Sequence, residues 1–130
     1  ELNLGRLNPN IQFLKPFGFC DYIKLQMEAL CVVSDSGTIT EETSLLNLPA
    51  ITIRNAHERP EGMDAGVLIM TGIDSTSMLD GINIARKHFE NQQSRNTPLS
   101  YIDLDVSWRV AKLIQSYTGY VNRKTWHKNT

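Results

Sequence analysis

The sequence predicts an α/β fold in which helices cover a parallel sheet. Four apolar runs, at residues 10–14, 31–33, 50–53 and 67–70, recur about every twenty residues, which leaves room for a right-handed crossover helix between parallel strands. The segments between them carry helix start and stop signals. The sharpest junction runs from Val32 to Glu42, where the apolar run stops at Ser34-Asp35-Ser36-Gly37 and a helix-compatible stretch begins at Thr38. That is the pattern of strand, tight turn and helix.

Residues 10–14 end before Pro16 and read as the first strand. Residues 16–20 form a loop. Asp21 then caps a short helix with Tyr22, Leu25, Met27, Ala29 and Leu30 as its apolar positions, leading into the strand at 31–33. The helix from Thr38 buries Ile39, Leu45 and Leu46. It stops at Asn47-Leu48-Pro49, because proline disfavours helix in the residue before it. After the strand at 50–53, residues 54–58 make a polar connection. Pro60 fits the first position of a short helix that Gly62 or Gly66 ends.

Beyond the strand at 67–70, Asp74 and Ser75 cap a longer helix with Met78, Ile82, Ala85 and Phe89 as its apolar stripe. Gly81 inside it costs about 1 kcal/mol relative to alanine, so packing must hold it. Residues 92–100 read as an exposed loop. A further helix from about Asp103 presents Val106, Val110, Leu113 and Tyr117 on one face and stops at Gly119, with a short helix over 121–126 after it.

The chain has 130 residues, 41% hydrophobic and 21% charged, the size of one domain able to bury a core. It opens Glu1-Leu2-Asn3-Leu4 without a methionine and is expected to be a piece of a longer protein. No run approaches the roughly 20 apolar residues of a membrane span, and nothing resembles a secretion signal, so a cytoplasmic location is expected. Thirteen basic and fourteen acidic residues give a net charge of −1, which offers no general attraction to nucleic acid or to an anionic membrane. Cys20 and Cys31 stand alone in apolar surroundings, without His or Cys at metal-ligand spacing. Neither a metal nor a cofactor is expected.

The turn at residues 35–38 is the candidate site. Gly37 lets the backbone approach a ligand closely, and the first amides of the following helix have no partner inside it, so the turn suits a phosphate. Glu41 and Glu42 add carboxylates, one of which can accept hydrogen bonds from a sugar diol; together these features suggest a nucleotide. Thr38-Ile39-Thr40-Glu41 is equally a capping box, in which Thr38 and Glu41 satisfy each other's backbone donors. Residues 55–61 follow the next strand and so share the same carboxyl edge, where open α/β sheets bind ligands. Arg59 can present a planar fork to a diphosphate, or pair with Glu58 or Glu61. Tyr22, near the carboxyl edge of the first strand, can stack on a nucleobase or simply pack into the core. His57 is assigned no catalytic role. Ser36 has no His-Asp relay and serves better in anion binding than as a nucleophile.

Ser34-Asp35-Ser36-Gly37-Thr38-Ile39-Thr40-Glu41-Glu42, then Leu48-Pro49, then His57-Glu58-Arg59-Pro60-Glu61-Gly62 resembles the non-hydrolysing UDP-N-acetylglucosamine 2-epimerases. The likeness runs from about Pro16 to Gly72. It implies two Rossmann-like domains, as in the B-type glycosyltransferases, with this chain forming part of the C-terminal one: residues 1–91 a partial UDP-binding unit, residues 92–130 helices that pack back towards the N-terminal domain. It also implies that Ser36 and Gly37 hold the diphosphate, with Thr38 beside them where many members carry a second glycine. Glu42 then binds the ribose hydroxyls, Arg59 lies by the phosphates, and Tyr22 matches an aromatic at the uracil.

The family reaction eliminates UDP to an unsaturated sugar and re-adds it with carbon 2 inverted. Its acidic catalytic residues and a histidine precede the region seen here, so this chain is expected to hold none of them and to be inactive alone. Residues 116–126 resemble more narrowly the bacterial branch that makes UDP-N-acetyl-L-fucosamine for capsule and other surface polysaccharides. A UDP-sugar partner and a homodimer are implied. A UDP-sugar-dependent glycosyltransferase is the main alternative, and a non-enzymatic nucleotide-binding module a further one.

Overall fold

A computed structural model describes residues 8–91 and 97–128. Among them β1 (Val32–Ser34), β2 (Ala50–Thr52) and β3 (Ile69–Met70) form a parallel sheet in the order β1-β2-β3. Val32 pairs with Ala50 and Ile51 with Ile69, so partners in both ladders stand eighteen residues apart in sequence. The helices are α1 (Phe19–Glu28), α2 (Ile39–Leu46), α3 (Pro60–Asp64), α4 (Ser75–Asn91), α5 (Leu99–Ile102) and α6 (Val106–Lys124).

The central strand carries the core. All three residues of β2 are buried, and Ile39 of α2 packs with Ala50 and Leu68. On α4 the buried positions are Gly81 and Ala85. A side chain at 81 would run into Thr71 Cγ2 at 2.5 Å and Ile51 Cγ2 at 3.3 Å. Glycine is there so that α4 can lie close against β2 and β3, which answers the packing requirement read from the sequence.

The capping and stop signals hold in most places. Asp74 Oδ2 accepts the Ser77 amide at 2.8 Å at the start of α4, and that bond, with further donors from Ser77 and Thr76, holds its carboxyl below the usual aspartate value. Asn47 ends α2 in the left-handed region. Gly66 ends α3 with φ +70, while the amides of Gly66 and Val67 bond back to the carbonyls of Met63 and Gly62, the double closure of a Schellman motif.

Several expectations are corrected. Residues 10–14 form no strand: the Asn10 and Ile11 amides turn back to Asn8 instead of pairing with another strand, and Ile11, Phe13 and Leu14 are exposed. The sheet therefore has three described strands rather than four, and no strand precedes α1 among the described residues. That helix begins at Phe19 after Gly18, with Asp21 in its first turn, not at an Asp21 cap. Its buried residue is Gln26, while Tyr22, Leu25 and Met27 are exposed. On α2 the inward face is Ile39, Thr40, Thr43 and Ser44, which turns Leu45 out to solvent. Phe89 likewise lies beyond the covered part of α4.

Gly119 does not stop α6, which runs on to Lys124 as one helix that includes the start of 121–126. A glycine ends a helix by taking positive φ, and Gly119 does not take it. Of the expected loop at 92–100, residues 92–96 lie outside the described residues, and Leu99 and Ser100 are helical. No described helix is long and apolar enough to cross a membrane.

Candidate functional site

The site lies where the parallel strands end. Beyond Ser34 the chain turns through residues 35–38 into α2, and beyond Thr52 it runs through residues 53–59 into α3. The ladder continues into these turns, with the Ile53 amide donating to Ser34 O at 3.1 Å and the Thr71 amide to Thr52 O at 2.9 Å. Both connections therefore leave the sheet side by side at its carboxyl edge, as the sequence predicts.

The turn is ordered by its own hydroxyls. The Ser36 amide donates to Ser34 Oγ at 3.0 Å, and Ser36 Oγ accepts the Thr38 amide at 3.3 Å and lies 2.9 Å from Thr38 Oγ1. Thr38 Oγ1 in turn donates to Glu42 Oε1 at 2.7 Å, one helical turn on. The other oxygen of Glu42 accepts Gln26 Nε2 at 2.5 Å. Ser36, Thr38 and Glu42 thus form one hydrogen-bonded chain, anchored from α1 by the buried Gln26.

The capping-box reading fails at both residues, since Thr38 makes no side-chain cap bond, and the alternative pairing of Arg59 with Glu58 or Glu61 fails too. Glu41 does not fold back on Thr38. It points about 100° round the helix from Glu42 and accepts Arg59 Nε at 2.5 Å. Glu58 lies 3.6 Å from Arg54 instead, and Glu61 accepts the Tyr101 hydroxyl of α5 at 2.8 Å. Burial and this bond push the Tyr101 hydroxyl well above its ordinary pKa. The Glu61 carboxyl is held low by its own backbone amide first and by Tyr101 second.

Arg59 and Gly37 fit one another. A Cβ at position 37 would stand 2.6 Å from Arg59 Nη1 and 3.8 Å from Arg54 Nη1. The bare backbone of the turn therefore lies directly under one guanidinium with a second close by. This brings two guanidinium groups, each also paired to a glutamate, over the first turn of α2, where free amides add further donors.

The structure brings Ser36, Gly37, Thr38, Glu42 and Arg59 into one cluster. Tyr22 stands in α1 one turn before Gln26, on the face that meets Glu42, and is 38% exposed. Sequence reasoning missed Arg54 and Gln26. A second arginine on the same edge connection is the signal that would have found the first, and a lone amide among apolar helix positions the second. His57 Nε2 lies 3.5 Å from Thr40 Oγ1, on the side of α2 away from Glu42. No group of three or more His, Cys, Asp or Glu side chains among the described residues has the arrangement of a metal site.

Fold and site together define an α/β protein that gathers its charged and hydroxyl groups on the carboxyl edge of a parallel sheet. The profile of the UDP-N-acetylglucosamine 2-epimerase family matches residues 2–115, and the chain belongs to that family. A UDP-N-acetylglucosamine 2-epimerase of Methanococcus maripaludis is 32% identical over 91 residues, 70% of this chain and 24% of the relative. A probable UDP-N-acetylglucosamine 2-epimerase of Ralstonia solanacearum is 28% identical over 111 residues, 83% of this chain and 29% of the relative. The solved UDP-N-acetylglucosamine 2-epimerase of Rickettsia bellii superposes with a TM-score of 0.72 at 48% identity, covering 90% of this chain and 32% of that one. The chain thus spans about a quarter to a third of the proteins it matches.

Proposed function

We propose that this chain is the UDP-holding part of a UDP-N-acetylhexosamine 2-epimerase that works on its substrate in the cytoplasm. The observation that carries the reading is the guanidinium of Arg59 seated over Gly37, with Glu42 held one helical turn away. A diphosphate placed on the turn meets two guanidinium groups, the first amides of α2 and the Ser36 hydroxyl. Glu42 accepts one bond on each oxygen, and each carboxylate oxygen has room for another, so the ribose diol can still donate to it. Tyr22 offers a ring to the uracil. Thr38 and Gln26 fix the carboxylate that reads the ribose.

In the epimerisation, loss of the carbon 2 proton accompanies departure of UDP and leaves an unsaturated sugar. UDP then adds back as carbon 2 receives a proton on the other face. UDP must stay held while it is detached, and this grip is what residues 1–91 supply. Residues 92–130 reach towards the part of the longer protein that carries the acid and base groups. In the full-length protein, Glu42→Ala is expected to weaken UDP binding by about 1.5 to 3 kcal/mol, the worth of a charge-assisted hydrogen bond. Titration calorimetry measures it, and unchanged affinity overturns the assignment.

The substrate branch rests on the ending Ser116-Tyr117-Thr118-Gly119-Tyr120 through Trp126, and it points to UDP-N-acetyl-L-fucosamine for bacterial surface polysaccharide, formed by a homodimer. The full-length enzyme is expected to turn over the 6-deoxy-L-talo precursor and to scatter light as a dimer. Interconversion of UDP-N-acetylglucosamine with its manno epimer, without turnover of the L-sugar, overturns the branch.

A further inference from the structure

We infer that Glu41 is a positioning residue for Arg59: it holds the guanidinium by its Nε edge so that the far end faces the Gly37 turn. The inference rests on the UDP reading above and adds to it a residue that does not touch the ligand. Arginine has three donor-bearing nitrogens in one plane, and a carboxylate that took Nε and an Nη together would use up one edge of that fork. Glu41 does not do this. Its Oε1 takes Nε at 2.5 Å, while its Oε2 is buried without a hydrogen-bond partner among the described residues. Both Nη groups are therefore left unclaimed by Glu41, and Nη1 lies where a Cβ at position 37 would clash with it.

Two features make this a built arrangement. Both side chains are about one-third exposed, 29% for Arg59 and 32% for Glu41, so the pair is partly withdrawn from water and less screened than a surface pair. Arg59 also stands outside regular structure, at the residue before α3, where its long side chain has no helix or strand of its own to restrain it. A fixed carboxylate on α2 supplies the restraint and reduces the ordering cost that binding would otherwise carry. The pair of adjacent acids thereby divides its work, with Glu42 aimed at the ribose side and Glu41 at the arginine.

The test is a double-mutant cycle in the full-length protein, read by calorimetry with UDP and with uridine. Arg59→Ala and Glu41→Ala are each expected to weaken UDP binding, by roughly 30-fold and roughly 10-fold, with uridine affinity unchanged in both. The double variant should bind UDP no more weakly than Arg59→Ala alone. Glu41→Gln, which keeps an oxygen for Nε, should recover part of the loss and shows that the fold is intact if Glu41→Ala unfolds.

Each contrary result has its own meaning. If Arg59→Ala leaves UDP affinity unchanged, the phosphate role of Arg59 is wrong, and the inference falls with it. If Arg59→Ala weakens UDP but neither Glu41 variant does, only the positioning role is overturned. Additive losses in the double variant, or an equal loss of uridine binding, would show a structural role and overturn it too. A gain in UDP affinity on removing Glu41 would mean that the carboxylate competes with the phosphate, and it overturns the inference as well.

Discussion

Alanine at position 81 should favour an isolated helix by about 1 kcal/mol over glycine, but in the folded chain its methyl would stand 2.5 Å from Thr71 Cγ2 and 3.3 Å from Ile51 Cγ2. Ile51 is the centre of the middle strand and cannot retreat, so overpacking wins. Gly81→Ala is expected to lower stability by about 1 to 3 kcal/mol, read as a fall in the urea midpoint; a rise would show that α4 moves away from the sheet at little cost. The requirement for packing at this glycine was legible in the sequence, because a helix interior tolerates glycine only for a reason. The site residues show where such legibility stops. That Ser36, Gly37 and Arg59 stand together followed from residue type and edge position, whereas the choice of Glu42 over Glu41 came only from the family resemblance. The partner of Glu41 did not, because a capping box and an ion pair to a residue eighteen positions on use the same acid, and only tertiary geometry chooses between them.

Among the elements, the strands that could be read were those whose neighbours lie within the described residues. β1, β2 and β3 each find a parallel partner. Residues 10–14 have an apolar pattern of similar quality but no described partner, and a strand is a property of a pair. The helices divide in the same way. On α4 the 3.6-residue period found the inward face, with Ala85 buried, Met78 and Ile82 half-buried and Phe89 exposed at its margin; on α2 only Ile39 of the three predicted residues is buried, and the rest of the inward face is Thr40, Thr43 and Ser44. The same reasoning identifies a stripe on α6, Val106, Val110, Leu113 and Tyr117, and every one of these is exposed. Periodicity reports that a face is apolar, and says nothing of whether the covering element lies within the same stretch of chain. The single continuous α6 was missed because glycine was read as a stop without the positive φ that makes it one.

At the scale of the whole molecule, the proposed grip on UDP comes with no acid or base group set apart for the sugar. Four glutamates lie near the carboxyl edge, and each is engaged: Glu41 by Arg59, Glu42 by Gln26 and Thr38, Glu58 by Arg54 and Glu61 by Tyr101. None of these four is free, and Asp35 stands in the turn proposed for the diphosphate rather than for the sugar, whereas general acid–base catalysis requires a group positioned at the proton it moves. The purified chain is therefore expected to incorporate no deuterium at carbon 2 of a UDP-N-acetylhexosamine in heavy water. Exchange above background, measured by proton NMR, would place a catalytic base within these residues.

The constant spacing of the ladders bears on how the sheet comes to exist. Val32 meets a residue eighteen positions later, and Ile51 does the same, so each new pairing closes a loop of equal length and carries the same entropic cost. Strand order in space is also strand order in the chain. Each pairing therefore needs only the strand and helix just before it, and the sheet can assemble one unit at a time in the direction of synthesis, without waiting for residues still inside the ribosome.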